Sequence, residues 1–168
     1  MPDQQSTSDP QVPQNGKAAI YARVATSARG IYAPQKDDVL ALAKNKGYMP
    51  EQITVYEDVG VSGNTPIENR KGLRALVTAI QQGSIQTVFT FAEDRLFADA
   101  DMLQISLFLK ACFEHNVVVV TSQTVYDFTN PALVALFKSR CEQATLFIER
   151  EVQKRLLTGR MRKRETEG

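Results

Sequence analysis

Apolar positions along this chain fall into two alternating rhythms. Short, nearly continuous runs at Ala18–Val24, Ile53–Tyr56, Ile85–Phe91 and Val117–Val120 read as strands buried on both faces. Between them the apolar residues recur at three- and four-residue spacing. Val39, Leu40, Leu42 and Ala43 mark a helix opened at Pro34 and stopped at Gly47, and Leu73, Leu76, Val77 and Ile80 mark a second one ended by Gly83. A third, from about Asp99 to Glu114, is expected to bury Met102, Leu103, Leu107 and Phe113. Strands alternating with helices predict an α/β fold with a mostly parallel sheet flanked by helices.

The two ends depart from this rhythm. Residues 1–16 are rich in Gln, Ser, Pro and Asp and read as a disordered tail, which leaves one domain over 17–168. The segment from Pro131 to about Arg164 has no helix breaker except Gly159, and predicts a long, protruding C-terminal helix. Its first half is apolar, with Leu133, Leu136, Phe137, Leu146, Phe147 and Ile148. Its second half carries Arg150, Lys154, Arg155, Arg160, Arg162, Lys163 and Arg164. About 30 residues at ~1.5 Å each make a rod of about 45 Å, longer than the domain it leaves, so it must meet a partner or solvent.

Composition narrows the function classes. The 168 residues are 43% hydrophobic with a net charge of +1, so any basic surface is local. No run approaches the ~20 apolar residues that span a bilayer, and the N-terminus lacks a signal pattern, so a cytoplasmic location is the expectation. Cys112 and Cys141 lie apart in apolar segments and read as buried thiols, while the single His115 reads as a helix-end residue. Neither supports a metal site, and no cofactor is expected.

In open α/β sheets ligands bind beyond the carboxyl ends of the strands. Those ends carry Arg23, then Asp58 with the Gly60–Gly63 loop, then Asp94-Arg95. Arginines gathered at one edge suit an anion, because a planar guanidinium grips phosphate with two parallel hydrogen bonds. The plainer reading is that Arg23–Asp58 and Asp94–Arg95 are surface ion pairs of little energetic worth.

The motifs at these ends occur in a familiar order. Tyr21-Ala22-Arg23-Val24-Ala25-Thr26, Gln35, Tyr56-Glu57-Asp58, Gly60-Val61-Ser62-Gly63, Asn69-Arg70-Lys71-Gly72-Leu73, Asp94-Arg95-Leu96, Thr129-Asn130-Pro131-Ala132 and Ile148-Glu149-Arg150-Glu151 together resemble the catalytic domain of serine site-specific DNA recombinases, of resolvase and invertase type. The resemblance implies DNA strand exchange, in site-specific recombination or integration. A serine attacks a phosphodiester to form a covalent 5′-phosphoserine link, without metal or cofactor. It implies roles around the phosphate for Arg23, Arg70 and Arg95, supporting roles for Gln35 and Asp58, and a final helix that dimerises and meets DNA through Arg150, Lys154, Arg155, Arg160, Arg162, Lys163 and Arg164.

Two departures bear on activity. Ala25 stands where the resemblance calls for the nucleophilic serine, and Ala98 where it calls for a further arginine. A methyl group cannot attack phosphorus, and losing the arginine alone costs several kcal/mol of transition-state stabilisation. Thr26, Ser27 and Ser62 are poorly placed to substitute. The expectation is therefore an inactive member of the family, with DNA as partner and a homodimer or higher oligomer as its form. The alternative is a non-catalytic dimerisation or DNA-binding accessory protein that forms a hetero-oligomer with an active recombinase. A doubly wound nucleotide-binding domain is disfavoured, since no Gly-rich phosphate loop follows the first strand.

Overall fold

The computed structural model describes residues 11–13, 16–24, 29–98 and 102–166, with side chains left undescribed for parts of the first and last helices. Five strands form one sheet: β1 (Ala18–Val24), β2 (Ile53–Val59), β3 (Thr87–Thr90), β4 (Val118–Val120) and β5 (Val125–Asp127). Their order is β2-β1-β3-β4-β5, with β5 antiparallel to β4 and every other pair parallel. The helices are α1 (Arg29–Asn45), α2 (Lys71–Gln81), α3 (Glu93–Leu96), α4 (Met102–Glu114) and α5 (Pro131–Thr166). Among the described residues no helix is long and apolar enough to cross a membrane.

The central strands are buried on both faces, as their unbroken apolar runs require. Ala18, Ile20, Phe89, Val118 and Val120 point toward α1, where they meet Val39, Ala43 and Tyr48. Ala19, Tyr21, Val88 and Val119 point the other way, into a larger core built with α2, α4 and the start of α5. That core contains Leu73, Leu76 and Ile80 from α2, and Phe137 and Cys141 from α5. Phe108 stacks on Phe137 at 6.3 Å, and Phe97 meets Phe108 edge-on at 5.6 Å. Cys112 and Cys141 are buried inside this layer and are not joined in a disulfide.

Several elements differ from the reading of the sequence. Strand β2 runs three residues past Tyr56, because pairing with β1 continues through Glu57↔Ala22 and Asp58↔Arg23. Strand β5 is a three-residue edge, too short to leave a pattern. Met102, Leu103, Leu107 and Phe113 are exposed at 37–64%, and α4 instead buries Ile105, Phe108, Leu109, Ala111 and Cys112. Nine of the thirteen positions of this helix are apolar and lie all round it, so periodicity left its rotation open and packing against the sheet chose it. Ahead of β1, Val12 packs against the smaller core, and the Tyr48 hydroxyl donates to the Pro13 carbonyl.

Candidate functional site: an arginine-lined sheet edge

With strand order 2-1-3-4-5, the connections reverse direction between β1 and β3. Such a switch point opens a crevice at the carboxyl ends of the strands. Arg23, near the end of β1, lies on one side of it. On the other, the chain leaving β3 turns at once into the four-residue helix α3, so Asp94 and Arg95 sit on a helical turn rather than at a strand end.

A helix this short leaves its last carbonyls without intrahelical partners. Two arginines supply them. Arg23 donates from Nε to the Arg95 carbonyl (3.0 Å), from Nη2 to that of Asp94 (2.8 Å), and from Nη1 to that of Val61 (3.1 Å). Arg70 donates from Nη1 to the carbonyls of Leu96 (2.6 Å) and Gly63 (3.3 Å), and from Nη2 to that of Arg95 (3.2 Å). The α3 turn and the 61–63 loop are thus fastened to β1 and to the start of α2.

Arg70 is fully buried, 5.6 Å from the ring centre of Tyr21 and 6.0 Å from that of Phe97. Its Nη2 donates to the Tyr21 hydroxyl (2.6 Å), which donates in turn to Asp58 Oδ2 (2.8 Å). Asp58 also accepts the backbone N–H groups of Gly72 (2.7 Å) and Leu73 (3.0 Å). The carboxylate therefore caps the N-terminus of α2 from a neighbouring strand, where a negative charge is favoured. Its ion-pair partner is Arg70, at 3.8 Å, rather than Arg23. Burial, offset in part by Arg70, raises the Tyr21 hydroxyl well above its ordinary pKa and keeps it a donor. Burial first, then the positive charge of Arg70, lowers the pKa of Arg23.

Glycine is required twice around this cluster. A Cβ on Gly72 would lie 2.5 Å from the Glu57 carbonyl oxygen, so α2 can approach β2 closely enough for Asp58 to cap it only without a side chain there. A Cβ on Gly63 would lie 2.4 Å from the Cβ of Ala98 and 2.8 Å from its backbone nitrogen. Ala98 is therefore pressed against the loop, and any longer side chain at 98 starts from that contact.

Of the residues singled out in the sequence, Arg23, Asp58, Arg70, Arg95 and Ala98 come together at this edge. Arg95 is the more open arginine: its side chain is 26% exposed, with Nε 3.4 Å from Asp94 Oδ1. Gln35 is half-buried on α1, which packs on the opposite face of the sheet from α2, and takes no part in the hydrogen bonds just described. Arg150 and Lys154 are exposed on α5. Ala25, with Thr26 and Ser27, lies outside the described residues, as do the side chains of Arg155, Arg160, Arg162, Lys163 and Arg164.

Sequence reasoning did not assign work to Tyr21, Gly63, Gly72 or Glu93. Glu93 is buried at the start of α3, accepts from the Tyr126 hydroxyl, and pairs with Arg140 of α5 at 3.0 Å. The cue available was an acidic residue directly before Asp94-Arg95, with no sign of its distant partner.

An open sheet of this order, with arginines at its switch point, defines a doubly wound α/β domain. The family model described as "Resolvase, N terminal domain" matches residues 18–168, and the chain belongs to that family. Among solved structures it is similar to the N-terminal catalytic domain of TP901-1 integrase, with a TM-score of 0.56 and 22% identity, covering 82% of this chain and 98% of that one. It is also similar to a resolvase family site-specific recombinase from Streptococcus pneumoniae (TM-score 0.54, 20% identity, 89% and 99% covered). A third likeness is to the C-terminal catalytic domain of ISC1926 TnpA, an IS607-like serine recombinase (0.53, 23%, 83% and 98%). At these identities the likeness concerns the fold. No curated protein matches the chain.

Proposed function

We propose that this chain works in site-specific DNA recombination as a member that does not itself cut DNA. The observation that carries the reading is the use made of its arginines. Arg23 and Arg70 direct their donors to carbonyls of α3 and of the 61–63 loop, and to a tyrosine. The edge keeps Arg95 partly open, but Ala25 stands at the nucleophile's position and Ala98 at that of a further arginine. Without a hydroxyl at 25 no covalent phosphoserine link can form there, and without an arginine at 98 the charge of a pentavalent phosphorus loses a partner.

In this reading Arg23, Gln35, Asp58, Arg70 and Arg95 are what remains of a phosphate site, and 17–168 is the unit that carries it. DNA is the partner, met in the cytoplasm by the basic half of α5: Arg150, Lys154, Arg155, Arg160, Arg162, Lys163 and Arg164. Contacts of that kind go to phosphates and carry little sequence choice. The exposed Leu156 and Leu157 on the same half support a second role for α5, pairing with another copy or with an active recombinase.

Incubation with supercoiled plasmid followed by denaturing electrophoresis is expected to leave no protein on the DNA, while gel shifts of the same mixture weaken steeply as salt rises. A 5′-linked adduct would overturn the absence of cutting. Sedimentation alone and with an intact recombinase tests the pairing, and a chain that stays monomeric in both argues against it.

A further inference from the structure

Helix α3 is held at both ends, and the two ends are held by different parts of the molecule. Its carbonyls at 94, 95 and 96 accept from Arg23 and Arg70, as described above. At its start, Glu93 is buried at 8% exposure, and its Oε1 accepts from the Tyr126 hydroxyl of β5 and from Arg140 Nη1 of α5. The same nitrogen lies 2.7 Å from Thr124 Oγ1 and 3.0 Å from the Tyr126 oxygen. Among the described residues Arg140 is the cation paired with this carboxylate. A buried carboxylate that loses its counter-charge is strongly disfavoured unless water reaches it. Glu93 is the first residue of α3, so a carboxylate drawn toward water pulls on that turn.

We propose that the Glu93–Arg140 pair couples the position of α5 to the arginine-lined edge. Arg140 lies one turn beyond Phe137, still on the part of α5 that packs against the core. A shift of α5 that withdraws it strands Glu93, opens α3, and frees Arg23 and Arg70 from the carbonyls that hold them. With α5 seated, the pair keeps α3 closed and both guanidinium groups engaged. Glu93 and Arg140 are positioning residues in this scheme, since neither reaches the edge itself. The coupling does not depend on whether the chain cuts or binds DNA, and its test involves no DNA.

Amide hydrogen exchange of the full chain, read residue by residue, separates a coupled segment from general loosening. The diagnostic amides are Arg95, bonded to the Ala92 carbonyl, and Phe97, bonded to that of Glu93. In Arg140→Met both should exchange about tenfold faster or more, while amides of β1 and β3 keep their protection. In the double variant E93Q/R140M the neutral amide needs no counter-charge, so both should return to within about threefold of the parent. Unchanged Arg95 and Phe97 in R140M overturns the proposal, and so does an equal rise throughout β1 and β3. A double variant as fast as R140M overturns it as well. Should R140M fail to fold, R140Q keeps a donor without the charge and is judged by the same criteria against E93Q/R140Q.

Discussion

At the scale of single residues, the arginines at this edge differ in what surrounds them. Arg70 is enclosed by Tyr21, Phe97 and three backbone carbonyls, and faces a carboxylate with 3% of its side chain exposed. Arg95 forms a half-open pair with Asp94. Removing one partner of a buried pair costs about 3–5 kcal/mol, whereas an exposed pair is worth about 0–1 kcal/mol. Arg70→Met should therefore lower unfolding free energy by several kcal/mol in urea titration, and Arg95→Ala by less than about 1 kcal/mol. Equal losses from the two would mean that Arg70 is not the keystone its contacts indicate. Tyr21 shows the same principle on a smaller scale: one hydroxyl accepts from Arg70 and donates to Asp58, so two strands and a helix start share one proton-bearing oxygen.

Among the elements, α4 shows how far periodicity reaches. Met102, Leu103, Ile105, Leu107, Phe108, Leu109, Ala111, Cys112 and Phe113 are all apolar, so a helix was legible but its inward face was not. Packing onto the sheet and onto Phe137 turned Phe108 inward and left Leu107 48% exposed. Truncating a buried phenylalanine costs about 3–5 kcal/mol, and surface changes stay within about ±0.5 kcal/mol. Phe108→Ala is thus expected to shift the denaturation midpoint strongly and Leu107→Ala hardly at all. The reverse result would restore the orientation read from the sequence. Helix α2 posed no such difficulty, because its apolar stripe (Leu73, Leu76, Ile80) is bounded by Lys71, Arg74 and Gln81.

For the whole molecule, stability should depend on pH in the alkaline range. Burial, with Glu93, Asp94 and Glu142 adding to it, pushes the Cys141 thiol up to about 12, and burial raises Cys112, Tyr21 and Tyr126 in the same direction. An unfolded thiol titrates near ~8.5. A folded pKa above the unfolded one means that the contribution is complete below ~8.5 and is lost as pH climbs toward 12. Urea midpoints should be level between about pH 6 and 8 and fall above about 9, and Cys141→Ala should make the fall shallower. A midpoint that stays level to pH 10 would contradict the burial of these groups. The sequence by itself determined the α/β class, the central parallel strands and the family, because runs of residues buried on both faces and ordered motifs are written locally along the chain. It also determined the alanines at 25 and 98. Only the tertiary structure decided the rotation of α4, the antiparallel strand β5, and the partners of Arg23, Arg70 and Glu93. Those depend on carbonyls and carboxylates up to 72 residues away, and no local pattern encodes which distant group a buried charge will meet.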